Sequence, residues 1–411
     1  MNNRSKNSLV VALSILGALI WVSASFAQSD GPVGPFRINS ANIEKWDVDL
    51  QRYENHLFRG MNWSAYPVGG VGTFPGEYGF VCGWANGENI CPAGYRLHDL
   101  ESIVPIMHRD FPLISLIGAN SIRVFTRVDS MITPGSSPLL ALADANDLDV
   151  FAHYPVETVD FTDANQRAFF INDFVAYVAA VEGDVNSHRV AAYVFGNENN
   201  IRWCTECNQT AQANAFYSML GLLVSNATTA FPNILVTTSP ADIADIQNYD
   251  NLILSSNFFW STNIYRGFSF NNSNSNLFLD LLAATSRPVV ITEFGVDSFD
   301  NSTGTFNEEN QATTLANLWD EIDHDYNNNG RVSGGFIFEW SDEWWKAGGQ
   351  WNSTSMTQEL QNAGFPNPNT PDRFSNEESY GVVGIVPNRI THFDDLFGKQ
   401  AGIDLYLGNI W

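Results

Sequence analysis

The sequence predicts a mixed α/β chain closed into a single (β/α)8 barrel, the TIM barrel, and three observations lead there. Eight short apolar runs recur between residues 57 and 340, longer helix-compatible stretches separate them, and no Gly-rich phosphate loop follows the first run. Short buried strands alternating with helices point to a parallel sheet. Eight such units suit a closed barrel better than an open doubly wound sheet, which stays the alternative architecture.

In chain order, residues 1–27 have the layout of a secretory leader: Arg4 and Lys6, an apolar run over 9–22, then Ser25-Phe26-Ala27. The apolar run is short of the ~20 residues that span a bilayer, so cleavage between Ala27 and Gln28 and a secreted or periplasmic destination are expected. Residues 28–55 read as a polar lead-in, and 56–411 as one catalytic domain with a C-terminal closing segment. The candidate strands are 57–63, 121–126, 148–154, 190–196, 234–238, 252–259, 288–292 and 335–340; several are near-continuous Val, Ile, Phe and Leu, as strands buried on both faces must be. The clearest helices are 163–181, 210–227 and 310–325.

The connection over 65–95 is too long for an ordinary strand-to-helix turn and carries Cys82 and Cys91, which suggests a disulfide-stapled loop on the rim. Cys204 and Cys207 complete the four cysteines. An even count in an exported chain reads first as two disulfides, and proximity favours Cys82 with Cys91 and Cys204 with Cys207 among the three pairings. The spacing Cys204-x-x-Cys207 also suits zinc or a redox dithiol. An oxidising compartment and the lack of a thioredoxin-like setting weigh against both.

Loss of Arg4 and Lys6 with the leader takes the net charge from −25 to −27 and leaves only Lys45, Lys346 and Lys399 as lysines. Nucleic acid and anionic membrane are poor partners for such a surface. Aromatic residues make up 13% of the chain against 16% charged, a balance suited to neutral ligands that stack on rings, such as sugars. Seven histidines without an HExxH motif give a metalloenzyme little support, and neither metal nor cofactor is expected.

Barrel enzymes carry their chemistry at the C-terminal ends of strands. The fourth run is followed by Asn197-Glu198-Asn199-Asn200 and the seventh by Thr292-Glu293-Phe294-Gly295. Two carboxylates on nearly opposite sides of one mouth can flank a single bond, as glycoside hydrolysis requires. Asn-Glu recurs at Asn307-Glu308 and Asn376-Glu377, so the signal at Glu198 is its place after a buried strand. Glu339, in the eighth run, is the rival to Glu293. Alternation puts Phe336, Phe338 and Trp340 on one face and Glu339 on the other, which ranks Glu293 first.

Asn197-Glu198, Thr292-Glu293-Phe294-Gly295 and the aromatic eighth run together resemble clan A of the retaining glycoside hydrolases. Arg59-Gly60-Met61-Asn62-Trp63, Gly118-Ala119-Asn120-Ser121-Ile122-Arg123-Val124 and Asn263-Ile264-Tyr265-Arg266-Gly267 look most like the family 72 β-1,3-glucanosyltransferases and the family 2 barrel. The resemblance runs in islands from about residue 59 to about residue 385. Trp340-Ser341-Asp342-Glu343-Trp344-Trp345 departs from the family 72 pattern, which leaves transfer and the β-1,3 preference open.

The resemblance implies Glu198 as general acid/base and Glu293 as nucleophile. It further implies Asn197 on the sugar 2-hydroxyl, Arg123 holding Glu293 ionised, Tyr265 orienting Glu293, and Trp340 as the floor beside the cleaved bond. His153 and Tyr154, ending the third run, are candidate sugar contacts. The implied partner is an oligo- or polysaccharide, with β-1,3-glucan favoured, acted on by a monomer. A non-catalytic carbohydrate-binding or cell-wall scaffold is the competing class; it would keep the aromatic residues without needing both carboxylates.

Overall fold

The computed structural model describes residues 34–64, 83–85, 88–90, 100–129, 136–156, 159–201, 207–272, 275–328, 330–344, 346, 365–367, 370, 372–386 and 395–411. Eight parallel strands form one sheet: β1 (Phe58–Trp63), β2 (Ser121–Val124), β3 (Asp149–Tyr154), β4 (Val190–Asn197), β5 (Val236–Ser239), β6 (Trp260–Asn263), β7 (Val289–Phe294) and β8 (Val332–Ile337). Their spatial order is β5-β4-β3-β2-β1-β8-β7-β6. Parallel bridges Val236 to Phe258 and Ala241 to Asn263 span the remaining gap between β5 and β6, so the sheet curls into a barrel. A helix follows each strand: α1 (Leu100–Leu116), α2 (Pro138–Ala145), α3 (Ala164–Glu182), α4 (Gln209–Ala230), α5 (Ala244–Tyr249), α6 (Leu277–Ala284), α7 (Glu308–Asn327) and α8 (Gln400–Tyr406).

The long helices start where the sequence supplies a cap. The Asp163 carboxylate accepts from Asn165 N at 2.7 Å, Asn208 Oδ1 from Ala211 N at 3.1 Å, and Asn307 Oδ1 from Asn310 N at 3.1 Å, each satisfying an otherwise orphaned amide. On α3, Phe170, Phe174, Tyr177, Val178 and Val181 are buried at helical spacing, a stripe that seats the helix on the barrel.

Inside the barrel, Phe58, Phe151 and Phe336 fill the cross-section, with the Phe151 and Phe336 rings 4.6 Å apart. Gly60 makes room for them, because a Cβ there would lie 2.2 Å from the Phe336 ring. Residues 28–55, read as a polar lead-in, contain a three-stranded antiparallel sheet, Phe36–Asn39, Asn42–Asp47 and Arg52–Asn55. It stoppers the N-terminal end of the barrel with buried Phe36 and Ile43, and Lys45 Nζ binds both oxygens of buried Asp149 at 2.8 and 2.7 Å. Alternating apolar residues in this short stretch escape a reading keyed to longer runs.

Two strands differ from expectation. The sixth, expected over 252–259, is Trp260–Asn263. Leu254 is 87% exposed, whereas Ser261 and Thr262, polar enough to read as loop, are buried, the Ser261 hydroxyl bonded to Thr237 and Ser239 inside the barrel and the Thr262 hydroxyl to the backbone oxygens of Pro240 and Asp242. The eighth ends at Ile337, and a cis peptide follows between Phe338 and Glu339. The two-residue alternation that grouped Phe336, Phe338 and Trp340 holds through Phe338 and fails at Trp340, beyond the strand end.

Candidate active site

The C-terminal mouth gathers polar groups that point inward from successive strands. On β1 and β2, Phe58, Gly60, Asn62 and Arg123 follow the inward register, so Asn62 and Arg123 stand one layer above the aromatic plug. Arg123 has no solvent exposure; its Nη1 donates to Glu293 Oε1 at 2.6 Å and its Nη2 to Asn197 Oδ1 at 2.8 Å. Asn62 Nδ2 donates to Thr292 O at 3.0 Å, tying β1 to the strand that carries Glu293.

Glu293, near the end of β7, is 5% exposed. Besides Arg123 it accepts from the Tyr265 hydroxyl at 2.9 Å. Burial first, then the neighbouring Glu293 carboxylate, pushes the Tyr265 phenol well above its ordinary range, so it stays a proton donor. One carboxylate thus receives a full cation on one oxygen and a phenol on the other, which fixes its rotamer.

Glu198 follows β4 in left-handed backbone, φ 51°, just after Gly196 at φ 76°. A non-glycine residue there costs on the order of 1–3 kcal/mol and persists only where its surroundings impose it. Here Glu198 N donates to Ser239 O at 2.7 Å and Asn199–Ile201 starts a 3-10 turn. The side chain is half-buried and its Oε1 accepts from Asn263 Nδ2 at 3.2 Å.

The structure brings Glu198, Glu293, Asn197, Arg123 and Tyr265 into one network. His153 lies close by, 4% exposed, with its ring 6.2 Å from Phe125, which in turn sits 4.7 Å from the Arg123 guanidinium. Tyr154 does not join them. Alternation turns it outward, where its ring stacks among Phe174, Tyr177 and Phe195 and its hydroxyl donates to Asp173 at 2.6 Å. β3 is regular over these residues, so with His153 inward its neighbour Tyr154 faces the helices, an outcome already readable from the two-residue alternation.

Trp340 is likewise displaced from the expected floor. It is 1% exposed and packs in the apolar layer between barrel and helices. Phe338 occupies the mouth, with ring centroids 6.3 Å from Phe125, 6.3 Å from Tyr265 and 5.6 Å from Tyr380. Beyond it Glu339 is buried; burial first, then Glu343, pushes its carboxyl well above the usual range despite Lys346 nearby. Lys346 Nζ pairs with Glu343 at 2.6 Å and lies 4.4 Å over the Phe338 ring.

Asn62, Asn263 and Phe338 were missed as site residues. Asn62 and Asn263 lie inside the motifs that carry the resemblance, and the inward register of β1 singles out Asn62. Cys82, Cys91 and Cys204 lie outside the described residues; Cys207 is disulfide-bonded. Among the described residues, no group of three or more His, Cys, Asp or Glu could hold a metal ion, and no helix is long and apolar enough to cross a membrane.

No family model matches the sequence, and no curated protein matches it. Solved structures do. The fold is similar to that of β-glucuronidase 3 from Bacteroides uniformis (TM-score 0.51, 15% identity, 90% of this chain and 39% of that one). It is also similar to the Ruminococcus gnavus β-glucuronidase in complex with D-glucuronic acid (TM-score 0.51, 16% identity, 91% and 51%) and to the Parabacteroides merdae β-glucuronidase (TM-score 0.51, 13% identity, 90% and 38%). The chain thus spans about half or less of these glycoside hydrolases, and at such identities the likeness establishes the shared fold: an eight-stranded parallel barrel within a mixed α/β chain.

Proposed function

We propose that the chain is an exported retaining β-glycosidase, cleaving or transferring β-linked glucan by double displacement. The observation that carries the reading is the pair of carboxylates at one mouth, Glu293 clamped by Arg123 and Tyr265, and Glu198 facing it from β4 through Asn197 and Asn263. Glu293 attacks the anomeric carbon while Glu198 protonates the departing oxygen. Glu198 then deprotonates water or an acceptor hydroxyl, whose attack releases the sugar with its β configuration. A nucleophile must be anionic, which favours Glu293, paired with the Arg123 guanidinium, over Glu339, whose carboxyl burial pushes well above its usual range.

In this reading Asn197 donates to the sugar 2-hydroxyl, His153 lines the same subsite and Phe338 supplies the apolar floor. Disulfides Cys82–Cys91 and Cys204–Cys207 staple the rim, and the protein works as a monomer without metal or cofactor. β-1,3-Glucan is the favoured substrate. The decisive experiment is a product profile on soluble β-glucans of defined linkage, resolved by chain length, with aryl β-glucuronides and β-galacturonides as a second arm. Turnover of glucan supports the reading, and products longer than the starting oligomer establish transfer. Turnover confined to the uronides reassigns the substrate, and binding without turnover leaves a carbohydrate-binding scaffold.

A further inference from the structure

We infer that Asn263 is a positioning residue that orients the acid/base Glu198 and the substrate-facing amide of Asn197 together; this rests on the glycosidase reading. Asn263 ends β6 and is 3% exposed. Against β7 the register shifts between Thr262 and Asn263: Thr262 pairs with Ile291, but Asn263 pairs with Glu293 rather than Thr292. The extra residue, Thr292, lies on β7, while Asn263 keeps the inward face it shares with Ser261, from which its amide reaches Asn197 at the end of the fourth strand.

Amide orientation follows from a donor that has no ambiguity. Arg123 can only donate, and its Nη2 lies 2.8 Å from Asn197, so Asn197 must present Oδ1 to it. The same Oδ1 lies 2.9 Å from Asn263, so Asn263 must present Nδ2, and that nitrogen also reaches Glu198 Oε1 at 3.2 Å. Its Oδ1 is then left as the acceptor for the Thr292 hydroxyl at 2.9 Å. Two consequences follow. The hydrogens of Asn197 Nδ2 face away from both donors and stay available for a sugar hydroxyl. One Asn263 amide also restrains Glu198, whose carboxylate must rotate little between giving and taking a proton.

Asn263→Ala and Asn263→Asp test this. Asn263→Asp keeps the shape and the acceptor for Thr292 while removing the amide hydrogens. kcat/KM is measured on a dinitrophenyl β-glycoside, whose leaving group needs no proton, and on the unactivated β-glucan that the wild type turns over. General acid catalysis contributes about 10²–10⁴-fold, so both variants should lose at least about 100-fold on the glucan but no more than about 10-fold on the aryl glycoside, with thermal unfolding near that of the wild type. Equal losses on the two substrates, or none, in a variant that unfolds like the wild type would overturn the role of Asn263 and leave the glycosidase reading standing. A wild type inactive on every β-glycoside would remove the reading and this inference together.

Discussion

Arg123 and Glu293 form a 2.6 Å ion pair across the barrel mouth, from β2 to β7, with the guanidinium entirely out of solvent. The same guanidinium also holds Asn197, so the cation that fixes one carboxylate fixes the residue next to the other. Glu293, Arg123, Asn197, Asn263 and Glu198 thereby form one continuous hydrogen-bonded chain.

Breaking that pair from one side should be costly. Arg123→Met leaves a buried carboxylate without its cation, a change typically worth about 3–5 kcal/mol. The companion Arg123→Met/Glu293→Gln removes the stranded charge and should recover part of that loss in urea melts, though not activity. An unchanged midpoint for the single variant would show that the pair contributes nothing to the fold.

The two carboxylates should respond differently to truncation. Glu293→Ala should abolish turnover on every substrate, because no covalent intermediate can form. Glu198→Ala should retain its first step on a dinitrophenyl glycoside, and azide should restore turnover as the β-glycosyl azide. Retaining enzymes hold the two carboxyls about 5–5.5 Å apart, a separation that a crystal structure would check. An α-azide product, or a dead Glu339→Ala beside an active Glu293→Ala, would reverse the assignment.

Phe338 and Trp340 separate floor from core. Phe338→Ala should raise KM by about 10-fold, corresponding to roughly 1.4 kcal/mol of lost contact, with a modest change in stability. Trp340→Ala, at 1% exposure, should instead cost about 3–5 kcal/mol of stability. The opposite pattern in KM and melting temperature would restore Trp340 to the mouth.

Asp297, four residues beyond Glu293, has its carboxyl pushed up to about 7, chiefly by burial, against hydrogen bonds from Asn376 that lower it. The folded protein therefore holds this proton more tightly than the unfolded chain. Stability from this group is fully present below the unfolded value near 4 and declines as pH rises toward 7, by about 1.4 kcal/mol per unit of difference at most. Asn cannot ionise, so the stability of Asp297→Asn relative to wild type should rise across that window and level off above it. A pH-independent difference in chemical melts would place the titration elsewhere.

The carboxylate positions were legible because strand ends are marked in sequence: Asn197-Glu198 and Thr292-Glu293 each follow an apolar run, and alternation bears on which residue faces inward. Arg123 and Tyr265 entered through the motifs around them. Tyr154 illustrates a constraint available in sequence but not applied, since it shares its strand with inward-facing His153.

The sequence by itself determined the periodicities, and through them the alternation of strands and helices and the location of two acids at strand ends. Only the tertiary structure decided which polar atoms meet. Asn263, on the inward face of β6, meets Asn197 and Glu198 at the end of β4 across the closed barrel, an extra residue in β7 lets Thr292 and Glu293 both bond within the mouth, and Trp340 leaves the face of Phe336 and Phe338 because β8 ends at Ile337. Local pattern records how often a side chain must be buried. Register shifts and barrel closure depend on how eight strands fit around one plug of side chains, a property of the whole packing that no single segment encodes.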